Sequence, residues 1–244
     1  MEILFPDIPE YRFILKGLCD NIFPTYPKFH CDTFDSMVND IQSDIAFIPS
    51  PLAVLKMNQY FMLSAGAIFS YFSGPIVVNP GETFNELYVR KEDFYSRHYA
   101  KIFLKDAILK EGEGYPAVFE PRLAIMLGPF SYPKTDLYSA WSSLAESLPL
   151  PLYCGMIKRE LRDVKKIVEE AIRTSVKYAL NNSDLLIKDI AHLQGIKNVD
   201  MLKRVILNFV NRDTLSMAAD EVEAIGILKN AIESRNIKPE DLIF

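Results

Sequence analysis

The stretch FMLSAGAIFSYFSGPIVV, Phe61 to Val78, decides the fold. It is the longest apolar stretch in the chain, yet Ser64, Gly66, Ser70, Ser73, Gly74 and Pro75 interrupt it and no anchoring residues flank it. It therefore reads as buried strand and turn, not as a membrane span. Glycine divides it into two extended pieces, and Asn79, Pro80 and Gly81 follow as a turn. At this point the chain is expected to cross from one lobe to another.

On the N-terminal side, short apolar runs alternate with helical patterns. Ile3 to Phe5 is a strand, Tyr11 to Cys19 a helix, Phe29 to Cys31 a strand, Phe34 to Ile41 a helix and Asp44 to Ile48 a buried strand. This is the βαβ rhythm of a mostly parallel sheet flanked by helices. On the C-terminal side, Phe94, Ala100, Phe103, Leu104 and Ile108 mark a helical pattern over Lys91 to Lys110. A glycine-rich loop and a strand at Leu123 to Leu127 come next. Pro149 and Pro151 bracket a run into a strand at Leu152 to Ile157, which is expected to return the chain to the first lobe.

The remainder is helical. Val164, Ile167, Val168, Ala171, Ile172, Ser175, Val176 and Ala179 form one apolar face, and Ala218, Val222, Ile225, Leu228 and Ile232 stripe the last helix. Ser183 is placed as the N-cap of the helix through Leu193, and Asp200 precedes the helical run Met201 to Val210. The expectation is a two-lobed α/β protein, with lobe one formed by residues 1–76 and 156–244 and lobe two by 77–155.

Composition narrows the function. With 244 residues, 49% of them hydrophobic, the chain can bury one sizeable core or two lobes that share crossings. The net charge of −5 offers no overall positive field for nucleic acid or an anionic membrane, so neither is an expected partner. The opening MEILFPDIPEYRF has charges and prolines where a secretory signal needs a basic start and an unbroken apolar run, which points to the cytoplasm. Cys19, Cys31 and Cys154 are odd in number and widely spaced, which argues against a disulfide framework. His30, His98 and His192 show no ligand spacing, so no metal site is expected, and His192 falls in an amphipathic helical run where a structural role suffices. The absence of GxSxG, P-loop and GxGxxG strings speaks against serine hydrolases and nucleotide-dependent enzymes.

Five strings in order resemble one family. They are DIAFIPSPLAVL (Asp44 to Leu55), LSAGAIFSYFSGPIVV (Leu63 to Val78), the pattern Asp136, Leu137 and Trp141, LPLPLYCGMIKREL (Leu148 to Leu161) and VNRDTLSM (Val210 to Met217). Together they are similar to the menaquinone-pathway enzymes that include chorismate dehydratase and 1,4-dihydroxy-6-naphthoate synthase, and closer to the synthase. The resemblance implies the two-lobed fold of type II periplasmic binding proteins, used inside the cell without metal or organic cofactor. It also implies a small anionic or aromatic carboxylate as ligand in the cleft, and a monomer or homodimer. Fold alone does not give function, because the same frame serves transport, sensing and catalysis.

Candidate site residues follow from position and from this resemblance. Ser50 comes directly after a buried strand, where ligands of open α/β sheets collect, although a turn between Pro49 and Pro51 explains it too. Ser96, Arg97, His98 and Tyr99 start a helical pattern at the place where the family grips a carboxylate, and a helix start attracts anions. A solvated basic and aromatic helix turn is the competing explanation. Ser64, Gly66, Ser73 and Gly74 surround the first crossing, where small residues permit close approach of a ligand or tight packing alone.

The family base is the point of departure. The synthase carries Ile-Ile-His-Glu after a strand of the second lobe, and IMLGPF (Ile125 to Phe130) puts Leu127 in that place. Three readings stay open. His98 supplies the base of a carbon–carbon or carbon–oxygen lyase from across the cleft; the chain is a non-catalytic sensor or carrier; or the position of Leu127 in the pattern is shifted and the base lies elsewhere.

Overall fold

The computed structural model describes residues 1–34, 41–81, 84–91, 93–104, 107–127 and 131–238. The chain starts with β1 (Glu2–Pro6), α1 (Pro9–Ile14), α2 (Lys16–Cys19), β2 (His30–Phe34), β3 (Ile45–Pro49) and α3 (Ser50–Leu55). β4 (Tyr60–Met62) and β5 (Ile68–Ser70) then lead through Gly74 into β6 (Ile76–Val78). A second unit adds β7 (Glu86–Val89), α4 (Ser96–Phe103), β8 (Ile108–Glu111), β9 (Ala117–Phe119), α5 (Pro121–Leu127), β10 (Lys134–Asp136) and α6 (Tyr138–Ala145). The long strand β11 (Leu150–Lys158) brings the chain back. A 3-10 turn then leads to α7 (Lys165–Asn181), α8 (Ser183–Leu193), α9 (Val199–Phe209), α10 (Arg212–Leu215) and α11 (Ala219–Ser234).

Two sheets result. The first runs β2-β1-β3-β11-β4 with β5 also on β11, and the second β10-β6-β9-β7-β8. β1 pairs in parallel with β2 and β3, and β7 in parallel with β8 and β9. The other five described pairings are antiparallel. The sheets are therefore mixed, not mostly parallel, because the crossing strands and the returning β11 run against the βαβ strands. All five residues of β3 and the first eight of β11 are buried, as expected of strands covered on both faces.

Packing inside the first sheet is tight around Phe47 of β3. Gly155 sits opposite it in register, and a Cβ at Gly155 or Gly66 would come within 2.7 or 2.5 Å of the Phe47 ring. Gly66 also has φ +81°, a region unfavourable to residues with a Cβ, while its N–H donates to the Thr214 carbonyl at 2.7 Å. Gly66→Ala is expected to lower stability by about 2–4 kcal/mol through clash and strained backbone together. Urea unfolding measures this, and a change below about 1 kcal/mol would contradict the packing argument.

Several expectations are corrected. Leu123 to Leu127 lies within helix α5, because Pro121 starts a helix and the Glu120 carbonyl accepts from the Ala124 N–H at 2.8 Å. Among the described residues, the helical pattern from Lys91 to Lys110 is realised only as α4, and its end is the edge strand β8, where Ile108, Lys110 and Glu111 are exposed. Phe61 to Val78 holds three strands instead of two. Phe34 closes β2, and residues 35–40 of the expected helix lie outside the described residues. Asn182, not Ser183, occupies the cap position of α8, and Asn198 caps α9 by accepting from the Met201 N–H at 3.0 Å. His192 is exposed on α8. Cys19 and Cys31 form a disulfide, which spacing in the sequence did not indicate; the β1–β2 pairing carries Cys31 to the end of α2. Among the described residues, no helix is long and apolar enough to cross a membrane.

Candidate functional site

Four strand ends supply the site. In the first sheet the parallel strands β1 and β3 are followed by Glu10, in the first turn of α1, and by Ser50, the first residue of α3. In the second sheet the parallel strands β7 and β9 are followed by Asp93 and by Glu120. The carboxyl ends of parallel strands are where α/β proteins gather ligands, because the loops there are free to vary around a fixed sheet.

The two sets of ends meet. Tyr153, opposite Pro49 in the first sheet, donates its hydroxyl to Glu120 Oε1 at 3.0 Å. The Tyr99 hydroxyl on α4 donates to the Pro151 carbonyl of β11. Phe34 and Phe94 pack edge to face at 5.5 Å, and Tyr95 and Tyr153 do so at 5.4 Å. These contacts join the second sheet to the first across a region with few water-exposed atoms.

Glu120 is the centre of this region. Its Oε1 accepts from the Phe94 N–H at 2.6 Å, the Tyr95 N–H at 3.2 Å and Tyr153, and its Oε2 accepts from Arg122 Nη2 at 3.0 Å. Asp93 completes the frame, accepting from the Ser96 N–H at 2.8 Å and the Glu120 N–H at 2.7 Å. Thus the N–H groups of Phe94, Tyr95 and Ser96, which lead into α4, are already held by the protein's own carboxyl groups. Arg97 Nη2 donates to the Asp93 carbonyl at 3.3 Å.

Burial sets the protonation of these groups. It raises the Glu10 carboxyl above its ordinary value, against the attraction of Arg122. It raises Asp93 well above its ordinary value, reinforced by the charge of Glu120. For Arg122 burial works against the charge, but the charges of Glu120 and Glu10 more than offset it, so the guanidinium is held more firmly than usual. Arg97 is lowered by burial, with Asp93 opposing. Glu10 Oε2 is buried without a hydrogen-bond partner among the described residues. A carboxyl group raised by burial, Glu10, near the firmly charged Arg122 forms an arrangement that can hold an anion and, in its protonated form, donate a hydrogen bond to it.

The residues singled out from the sequence fall into three places. Ser50, Ser96, Arg97, His98 and Tyr99 lie buried where α3 packs on α4; Ser50 Oγ lies 3.2 Å from Cys154 Sγ, and burial pushes the Cys154 thiol up to about 12. Ser73 and Gly74 lie at the crossing, where Asp136 accepts from the Ser73 hydroxyl at 3.1 Å and the Gly74 N–H at 2.8 Å. Ser64 and Gly66 face the C-terminal helices instead. The Ser64 N–H donates to Glu169 at 2.7 Å, and its hydroxyl accepts from Arg173 at 2.8 Å.

Leu127 ends a helix, so it does not follow the second-lobe strand; Glu120 follows that strand. Gly128 to Phe130 lie outside the described residues. Glu10, Asp93, Glu120 and Arg122 were not found from the sequence. Their signal was position directly after short apolar runs, and only the true strand ends expose it. Among the described residues, no group of three or more His, Cys, Asp or Glu side chains could hold a metal ion.

Residues 117–233 match the family model described as menaquinone biosynthesis. Protein AF1704 from Archaeoglobus fulgidus has a similar structure, with a TM-score of 0.84 and 20% identity over 97% of each chain. The periplasmic aliphatic sulphonate binding protein SsuA from Escherichia coli has a TM-score of 0.59 at 9% identity, covering 100% of this chain and 91% of its own. The Candida albicans CA3427 product, described as having the generic periplasmic binding protein fold, has a TM-score of 0.56 at 9% identity, covering 100% of this chain and 95% of its own. These likenesses concern the fold, which is the two-lobed α/β fold of periplasmic binding proteins. No curated protein matches the chain.

Proposed function

We propose that this chain, with its menaquinone-biosynthesis segment over residues 117–233, binds a small aromatic or enolic carboxylate between two lobes and serves a biosynthetic step on it. Lobe one is residues 1–76 with 156–244, and lobe two is 77–155. The observation that carries this reading is Arg122, a buried guanidinium at the junction of the two sheets, paired with Glu120 at 3.0 Å and held in its charged form by Glu120 and Glu10 together. A buried cation whose surroundings keep it charged suits a ligand carboxylate. Ser50, Ser96 and Arg97 supply further polar groups along the same junction.

A lyase reading is supported by Glu10 and Asp93, whose raised carboxyl groups can act as acids toward a leaving oxygen. A sensor or carrier reading is supported by Glu120, whose two oxygens are committed to four donors of the protein itself. Calorimetric titration with chorismate and with substituted benzoates tests the binding proposal. Arg122→Gln is expected to weaken binding about tenfold or more, the loss of a charge-assisted hydrogen bond. Unchanged affinity in both Arg122→Gln and Arg97→Ala overturns it. Mass spectrometry after incubation with chorismate, and separately with cyclic dehypoxanthine futalosine, separates the two readings. Turnover lost in Glu10→Gln puts the acid on α1, and turnover lost in His98→Ala puts proton transfer on α4. Saturable thermal stabilisation without turnover leaves the carrier.

A further inference from the structure

The Cys19–Cys31 disulfide lies away from the lobe junction. Cys19 ends α2 and Cys31 is the second residue of β2, the edge strand of the first sheet. Both cysteines are half-buried, and both line an open cavity of about 610 Å³ bounded by α1, α2, β2 and α8. The cavity wall carries both signs of charge: Arg12 and Lys16 on one hand, Asp20, Asp32 and Asp189 on the other. Cys154 provides the contrast, being wholly buried beside Ser50.

A disulfide that exchanges must be reachable by an attacking thiolate, and its leaving sulfur must be stabilised as an anion. Both conditions are met at this wall. Lys16 precedes Cys19 by three residues, so the two share a helix face; its ammonium, which also pairs with Asp20 at 2.9 Å, favours a thiolate at Cys19 over one at Cys31. A mixed-charge cavity of this size suits a small molecule that itself carries both a carboxylate and an ammonium group.

We propose that Cys19–Cys31 is a site of thiol–disulfide exchange with a zwitterionic low-molecular-weight thiol that seats in this cavity. The incoming thiolate attacks Cys31 Sγ, a new sulfur–sulfur bond forms there, the Cys19–Cys31 bond breaks, and Cys19 leaves as thiolate and takes a proton from solvent. A second thiolate attacks the sulfur that the first thiol contributed to the mixed disulfide, releasing the oxidised thiol dimer, and Cys31 leaves as thiolate and takes a proton from solvent. The protein gains two electrons and two protons, and two thiols lose them.

The test uses the full chain in native buffer, with reduced glutathione as the zwitterionic probe and 2-mercaptoethanol as the uncharged one. Aliquots are quenched by alkylation and mapped by mass spectrometry. The expected result is a glutathione adduct on Cys31, followed by alkylation of both Cys19 and Cys31 with Cys154 untouched. After correction for thiolate fraction, glutathione is expected to react about tenfold faster than 2-mercaptoethanol, the scale of modest electrostatic steering. The Arg12→Ala, Asp189→Ala double variant is expected to bring the two rates together. Reaction of Cys19 and Cys31 only in denaturant, alongside Cys154, overturns the site. Equal rates for the two thiols overturn the seating, and an adduct on Cys19 overturns the direction of attack.

Discussion

Replacing Glu120 with alanine is expected to destabilise the protein by about 3–5 kcal/mol, the range seen when one partner of a buried ion pair is removed. The side chain is 1% exposed, and its loss removes an acceptor from four donors at once: the N–H groups of Phe94 and Tyr95, the Tyr153 hydroxyl and Arg122. Each buried donor that loses its acceptor carries a desolvation cost, and at Arg122 an ion pair is lost as well. Glu120→Gln is the discriminating companion. It keeps an acceptor for the backbone and tyrosine donors but removes the charge facing Arg122, so a smaller loss of about 1–3 kcal/mol is expected. Urea unfolding of both variants measures this, and a loss under about 1 kcal/mol for Glu120→Ala would show that the junction is not held by this carboxylate.

Glu10→Gln is expected to change how stability depends on pH. Burial raises the Glu10 carboxyl in the folded protein above the value of 4.5 that it has when exposed. Well below pH 4.5 both folded and unfolded chains keep this proton, and its contribution is constant. As pH rises, the unfolded chain releases the proton while the folded chain retains it. Folding stability then falls by about 1.4 kcal/mol per pH unit for each retained proton, until pH passes the raised folded value. Asp93 acts in the same sense, starting from 3.8. Asp7 and Glu169 act in the opposite sense, since hydrogen bonds to Arg12 and to Lys165 help lower them, in Glu169 against burial. The prediction therefore concerns the difference between variant and parent: Glu10→Gln gains stability relative to the parent as pH rises from 4.5 toward neutrality. Unfolding free energies measured between pH 4 and 8 check this, and curves that stay parallel would show that Glu10 is ionised in the fold.

The parts of the fold that could be read from the sequence share a physical cause. Ile3 to Phe5, Asp44 to Ile48 and Leu152 to Ile157 are apolar runs that end up covered on both faces, so composition alone marks them as strands. The helices after β11 announce themselves by stripes, because one face of each packs inward on the core while the other meets water. The second unit resisted reading. β9 has only three residues, and the apolar Leu123 to Leu127 beside it has the composition of a strand but the start signal of a helix at Pro121. That single misreading moved the strand end from Phe119 to Leu127 and hid Glu120 and Arg122. Asp93 was hidden because its partners, Ser96 and Glu120, come together only through parallel pairing of β7 and β9. The disulfide escaped for the same reason: twelve residues separate Cys19 from Cys31, and pairing of β1 with β2 brings them together.

The returning strand has a consequence for how the protein is made. β11 is the only described link between β3 and the strands β4 and β5, and it is synthesised after every strand of the second sheet. While the ribosome works through residues 76–136, the strands of the second sheet can pair with one another, but the five apolar residues of β3 have a vacant edge. An unpaired apolar edge is a template for association with other chains. The nascent protein carries that exposed template until Leu150 to Lys158 emerges, so the longest strand is also the one whose arrival ends its most vulnerable interval.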